Sequence, residues 1–215
     1  MALFKFEKIY GRVFVKIFGI NISFAMPPKI CNYYISLGQN CFVRTILTRY
    51  GIKAKRKQGE LSCPFDLLLL PLEKVAFLLE NDFEGLTSDL RHDLETDYWY
   101  NDSLDVAFLH DKNLSKEELK ARYQKRVENF INISETSKEL KYILICKTCD
   151  CTAEILNNIN QSLKHYRHNK PYTFIVAGLS EKNEKDFEFI PELNQDIVFK
   201  KYKIPIPLKD VLENW

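Results

Sequence analysis

The spacing of apolar residues predicts alternating strands and helices, most clearly in the last third of the chain. This third contains two continuous apolar runs, YILIC at 142–146 and YTFIVAG at 172–178, typical of strands buried on both sides. Between them, Thr152 is a predicted N-cap followed by apolar residues at helical spacing. We therefore predict a right-handed βαβ crossover with a further strand at 196–204, in an α/β layered sheet with helices on both faces.

The earlier sequence predicts shorter elements of the same two kinds. Asn40 is a predicted N-cap, and Ser115 with Glu118 forms a predicted capping box. The acidic stretch 84–105 has no clear period and is predicted to be irregular. The predicted strands are 33–37 and 106–110, and the predicted helices are 41–50, 71–81 and 115–132.

The N-terminal residues differ from the rest in pattern. Residues 1–30 alternate apolar with basic or polar residues and predict a β-hairpin-like appendage, followed by a single α/β domain over 31–215. This segment is also similar to N-terminal stretches of bacterial surface-polysaccharide enzymes. No apolar stretch is long enough to span a bilayer, and none has the order of a signal peptide.

Charge is distributed unevenly although the net charge is only +2, which argues against a dedicated nucleic-acid binder. Residues 1–60 carry a net charge of +9, whereas residues 61–111 carry −10. Either the two stretches attract each other across the fold, or the basic N-terminal third faces an anionic partner or a membrane surface.

Six cysteines in a chain of 215 residues without an export signal predict reduced thiols in a cytoplasmic protein. Cys146, Cys149 and Cys151, with His165 and His168 downstream, have the composition of a zinc site. They lie between strong core elements, however, so we predict no metal. The chain has no glycine-rich phosphate loop, and we expect no cofactor.

One thiol has the setting of a nucleophile. Cys41 is predicted in the first turn of a helix, where the helix dipole favours the thiolate; packing as a small hydrophobe is the alternative. Among the four histidines, His110 is predicted to end a strand at the sheet rim, where active sites gather. Asp66 and Asp111 could each orient it, and Asp66 is preferred because neighbouring strand residues point to opposite faces.

Five short motifs carry a family resemblance. In order and spacing the chain resembles a bacterial and viral family of papain-like cysteine peptidases, through the segments SLGQNC at 36–41, CPFD at 63–66, NDFEGL at 81–86, FLHD at 108–111 and RYQKRVENF at 122–130. The resemblance implies a nucleophile at Cys41, a base at His110 and an acidic motif position at Asp66. It places Tyr123 and Arg126 in a helix motif, and it implies a papain-like α+β fold as the alternative architecture.

Two departures from the family pattern are visible. Leu67 stands where the family has Trp, and Lys125 stands where the family has Arg. The first departure bears on the packing around Asp66 and hence on its role.

These observations predict a cysteine-dependent hydrolase or acyl transferase acting on a small-molecule, peptide or glycan-linked substrate. Cys41 attacks a carbonyl, His110 accepts and returns the proton, and Asp66 orients the His110 imidazole. Backbone N–H groups at Cys41, with the Gln39 side chain, hold the oxyanion. The remaining predicted binding residues are Gly38, Asn40, Asp111, Tyr123 and Arg126.

This mechanism carries a geometric expectation. If the strands at 33–37 and 106–110 are parallel neighbours, the Cys41 sulfur and a His110 ring nitrogen lie within about 3 to 5 Å of each other. The alternative function is a nucleotide-sugar-binding or glycosyl-transfer accessory role in surface-polysaccharide assembly. In that case Gly38, between strand and helix, lets backbone N–H groups approach an anion.

Overall fold

A computed structural model describes residues 4–9, 12–17, 20–25, 34–49, 53, 61–147, 150–180 and 197–203. The strands are β1 (Phe4–Ile9), β2 (Arg12–Ile17), β3 (Ile20–Ala25), β4 (Tyr34–Ser36), β5 (Leu90–Asp93), β6 (Tyr98–Asn101), β7 (Val106–Phe108), β8 (Leu140–Lys147), β9 (Tyr172–Ser180) and β10 (Ile197–Lys203). The helices are α1 (Phe42–Arg49), α2 (Leu72–Glu80), α3 (Lys116–Ser134) and α4 (Ala153–Arg167), with a 3-10 turn at Pro64–Asp66.

The main sheet is parallel, with strand order β10-β9-β8-β4. Leu144 and Val176, which pair across β8 and β9, are fully buried, as the continuous apolar runs predicted. Helix α4 connects these two strands, and the Thr152 hydroxyl accepts a hydrogen bond from the Ile155 amide (3.1 Å) at its start. The mixed α/β fold class is therefore confirmed. The right-handed sense of the connection stays a prediction.

A second sheet, β5-β6-β7, is antiparallel. It corrects the expectation that 84–105 is irregular, since β5 and β6 both lie inside that range. Each strand has only four residues, too few for alternation to show, and their turn contains Asp97 at φ 56°. Aromatic packing stabilises the pair instead, because His92 stacks on its cross-strand partner Trp99 with ring centroids 4.5 Å apart.

A third sheet, β1-β2-β3, is an antiparallel meander over residues 4–25. It contains the two strands of the expected hairpin and one more. None of the helices in the described ranges has both the length and the apolar character needed to cross a bilayer.

The topology contradicts one premise of the predicted mechanism. The partner of β4 is β8, and β7 belongs to the antiparallel sheet, so the strands before Cys41 and His110 are not parallel neighbours. In addition, β7 ends at Phe108, two residues before His110. The chain between β4 and β8 is about a hundred residues long, which is enough to build a separate sheet.

The core joins the helices to the parallel sheet through aromatic side chains. Phe130 of α3 packs edge-to-face against Phe65, Phe83 and Tyr166, with ring centroids 5.2 to 6.4 Å apart. The Tyr166 hydroxyl donates to the carbonyl of Leu79 at the end of α2 (3.1 Å). The loop that precedes α2 is thereby fixed against α3 and α4.

Candidate thiol site

Cys41 lies at the turn from β4 into α1. The Asn40 side-chain oxygen accepts a hydrogen bond from the Phe42 amide (2.9 Å), and the Cys41 carbonyl accepts the first helical bond, from Thr45 (2.9 Å). The helix therefore starts one residue later than predicted: Cys41 is the N-cap residue, and the Asn40 side chain bonds to the first helical amide from the position before it. Cys41 as a residue is partly exposed, and it is outside any disulfide.

The turn before Cys41 is so tight that only glycine fits at position 38. A Cβ at Gly38 would lie 2.6 Å from the Asn40 carbonyl oxygen and 3.2 Å from Val43. The first distance is too short for any side chain without a backbone shift. The tightness of the turn thus depends on glycine, and it fixes where Cys41 leaves the sheet.

One short segment connects the Cys41 turn to β7. The Leu70 amide donates to the Gln39 carbonyl (3.0 Å), and Leu69 forms an antiparallel bridge with Ala107. Two successive hydrogen-bonded spacings of about 4.8 Å put the Gln39 backbone within roughly 10 Å of β7. The turn that carries Cys41 and strand β7 therefore flank the same segment, although they belong to different sheets.

Asp66 is fully buried and engaged by a lysine. Its carboxylate accepts hydrogen bonds from Lys53 Nζ (3.0 and 3.2 Å) and from the Cys63 amide (2.8 Å). Arg44 of α1 lies 3.8 Å away and also bonds to Ser62. This arrangement ties α1 to the 62–66 segment.

No hydrogen bond within the described ranges joins Asp66 to His110. The structure thus gives Asp66 a different neighbourhood from the one that its predicted role requires. Its catalytic role stays a prediction.

Asp111 is the centre of a second buried ionic cluster, with donors from α3. Arg122 Nη1 (2.7 Å) and the Tyr123 hydroxyl (2.8 Å) donate to its two oxygens, and Arg126 donates to both from 3.3 and 3.4 Å. Burial by itself raises the pKa of Asp111, but the charge of Arg126 and the donated hydrogen bonds outweigh it and hold the pKa below its usual value. Burial also raises the pKa of Tyr123 well above its usual value, against the opposing charge of Arg126, so its hydroxyl remains a donor.

His110 lies between β7 and this cluster. Its side chain is exposed, and it makes no hydrogen bond in the part of the chain that the structure describes. The Asp111 amide donates to the Phe108 carbonyl (3.4 Å), closing the turn that carries it. The backbone at His110 is thus fixed by β7 before it and by the Asp111 turn after it. Its imidazole has no hydrogen-bond partner among the described residues.

Cys41 and His110 are not hydrogen-bonded to each other in the structure, whose described residues include both. The motif residues therefore fall into two groups. Asp66, Asp111, Tyr123 and Arg126 are buried and mutually paired or anchored. Cys41 is partly exposed and His110 is exposed, and neither side chain is hydrogen-bonded within the described residues.

A histidine–carboxylate pair that the sequence analysis missed lies at the turn between β5 and β6. His92 Nε2 and Asp97 Oδ1 are 2.9 Å apart, and the Asn113 amide donates to the other oxygen of Asp97 (3.1 Å). The hydrogen bond to His92 is the main cause that lowers the pKa of Asp97. The sequence signal was the five-residue spacing across the LETD turn, which places both residues beside one hairpin.

Histidines 165 and 168 are exposed at the end of α4, as expected of surface residues. His168 is the C-cap, in the left-handed conformation. Among the described residues, no three His, Cys, Asp or Glu side chains converge as metal ligands would. Cys149, a member of the cysteine cluster considered for zinc, lies outside the described residues.

Scans of the chain against protein-family models, curated proteins and solved structures each give no match. The resemblance to papain-like cysteine peptidases thus rests on the five short motifs alone.

Proposed function

We propose that this protein is a cysteine-dependent hydrolase or acyl transferase in which Cys41 is the nucleophile. The observation that carries the proposal is the setting of Cys41: a partly exposed thiol directly before α1, on a turn whose shape requires Gly38. A helix start offers unpaired backbone N–H groups, which suit both a thiolate and the oxyanion of a tetrahedral intermediate.

His110 is the proposed base. It is exposed on a turn fixed by Asp111, and the strand before that turn, β7, is connected to the Cys41 turn through Leu69 and Leu70. Catalytic hydrogen bonds are often longer or unformed before substrate binds, so the open geometry of an unliganded site is compatible with this role. In the reaction Cys41 attacks a carbonyl carbon, and His110 takes the thiol proton and returns it to the leaving group.

The role of Asp66 is revised in this proposal. Because Lys53 and the Cys63 amide occupy both of its oxygens, Asp66 positions α1 through Arg44 instead of orienting His110. Asp111, Tyr123 and Arg126 position the turn of His110 in the same way. The Gln39 carbonyl is occupied by Leu70, whereas its side chain remains the proposed additional oxyanion donor.

Acylation by p-nitrophenyl acetate tests the proposal without knowledge of the natural substrate. We expect a burst of p-nitrophenol and an acetyl adduct that peptide mapping places on Cys41. Cys41→Ala should abolish both, and His110→Ala should slow the burst by about 100-fold or more. His168→Ala is the matched control, since His168 is also exposed, and it should leave the burst unchanged. An adduct that survives in Cys41→Ala contradicts the proposal.

A second candidate function, binding of an anionic ligand such as a nucleotide sugar, has one specific observation in its favour. Helices α1 and α4 both begin just after the carboxyl ends of β4 and β8, which are neighbouring parallel strands. Ligands of open α/β sheets bind at this edge, and helix N-termini favour phosphates. A thermal shift with nucleotide sugars that survives Cys41→Ser would favour this function over the first.

A further inference from the structure

Two buried cysteines meet where β8 turns into α4. Cys146 is the second-last residue of β8 and pairs with Gly178 of β9. Cys151 directly precedes Thr152, the N-cap of α4. The two sulfur atoms are 2.7 Å apart, and each residue is only 3% exposed. Two secondary-structure elements therefore hold one thiol against the other.

This geometry is close to that of a disulfide without being one. A disulfide bond is about 2.05 Å long, so the sulfur atoms need to approach by only about 0.6 Å. Both residues are attached to ordered elements, one in the middle of the parallel sheet and one at a capped helix start. The folded protein therefore already holds the two sulfur atoms near bonding distance.

We propose that Cys146 and Cys151 are a redox-active pair, which hydroperoxides convert from a dithiol to a disulfide that links the end of β8 to the residue before the N-cap of α4. One thiolate attacks hydrogen peroxide, so that an S–O bond forms, the O–O bond breaks and the leaving hydroxide takes a proton to become water. The second thiolate then attacks the sulfenic sulfur, so that an S–S bond forms, the S–O bond breaks and the leaving hydroxide takes a proton to become the second water. Overall, two thiols and one peroxide give one disulfide and two waters, and thiol exchange with a small dithiol reverses the reaction.

Burial determines which oxidants can act. Because each residue is only 3% exposed, hydrogen peroxide should oxidise the pair more slowly than an exposed thiolate, and bulky disulfides such as oxidised glutathione should react more slowly still. The inference concerns a site separate from Cys41 and does not depend on the proposed catalytic function.

Tryptic mapping under non-reducing conditions tests the pair directly. Trypsin cuts after Lys147, so a bond from Cys146 to Cys151 joins the peptides 142–147 and 148–164. After a stoichiometric dose of hydrogen peroxide on the folded full-length protein, we expect this cross-linked pair, two hydrogen atoms lighter than the sum of its parts. Phenylarsine oxide, which binds two neighbouring thiols, should prevent its formation.

Substitutions provide the matched comparison. Cys149→Ser should keep the cross-link, whereas Cys146→Ser and Cys151→Ser should each abolish it. The wild-type experiment does not depend on the folding of any variant. Circular dichroism checks that the three variants fold. The proposal is overturned if the bond joins Cys149 to either neighbour, or if a cross-link forms only after the protein is unfolded in urea.

Discussion

Asp111→Asn removes the negative charge that three donors of α3 share beside the turn of His110. Asp111 is 1% exposed, and Arg126, one of its partners, is 6% exposed. The substitution leaves the Arg126 guanidinium buried without a counter-charge and places an amide N–H₂ among N–H donors. Breaking a buried ion pair from one side typically costs about 3 to 5 kcal/mol. For a chain of this length, the melting temperature should then fall by roughly 6 to 20 °C.

A surface pair of similar geometry provides the control. Asp102 accepts two hydrogen bonds from Arg91 (2.6 and 2.9 Å), but both side chains are more than half exposed. Asp102→Asn should therefore have little effect on stability, because solvent already screens that pair. Urea unfolding followed by circular dichroism measures both variants. If the two substitutions change the free energy of unfolding equally, burial of the Asp111 cluster does not stabilise the fold as argued here.

The pH dependence supplies a second test of the same cluster. Because the folded protein lowers the pKa of Asp111, the stabilisation is fully present above the unfolded value, about 3.9, and is lost as pH falls through the lowered pKa of the folded state. The stability difference between wild type and Asp111→Asn should therefore be constant near neutral pH and shrink below about pH 4. A difference that grows as pH falls through that range would refute the assignment.

Three further substitutions test other parts of the structure. Asp66→Asn leaves the buried Lys53 ammonium without a counter-charge, and the free energy of unfolding measured in urea should fall by about 3 to 5 kcal/mol. The double variant with Lys53→Met should lose less stability than the sum of the two single losses. Arg167→Lys should lower the free energy of unfolding by about 2 to 4 kcal/mol. The reason is that a lysine ammonium cannot reproduce the planar donors with which Arg167 binds several backbone carbonyls. A loss of stability near zero would contradict this. Gly38→Ala should cost about 1 to 3 kcal/mol and slow alkylation of Cys41, and an unchanged protein would show that the turn tolerates a Cβ.

The parallel sheet could be predicted because its two central strands, β8 and β9, are buried on both faces. A continuous apolar run such as 142–146 fits a strand that is covered on both faces, and the Thr152 cap marks where the intervening helix begins. Strands β5 and β6 were missed for the opposite reason. These four-residue strands carry charged and aromatic residues, so their stability depends on cross-strand contacts such as His92 on Trp99 that no local pattern reveals.

The sequence could predict which residues belong to the candidate site, but not which of them pair with each other. The three-residue spacing of Tyr123 and Arg126 places both on one helix face, but the sequence does not show that this face meets Asp111. Lys53 lies in a polar loop where a lysine is normally solvated, yet it is 3% exposed and neutralises Asp66. Pairings of this kind depend on tertiary packing between distant segments.

The most direct test of the central claim is the alkylation rate of Cys41 in the folded protein compared with the same residue after unfolding in urea. Limiting iodoacetamide at neutral pH, followed by peptide mapping, gives both rates in one experiment, with buried Cys63 as the internal reference. If the start of α1 activates the thiol, folded Cys41 should react about tenfold faster than unfolded Cys41, even though folding partly covers it. A folded rate equal to or below the unfolded rate would mean that Cys41 is an ordinary half-buried thiol and would contradict the proposed nucleophile.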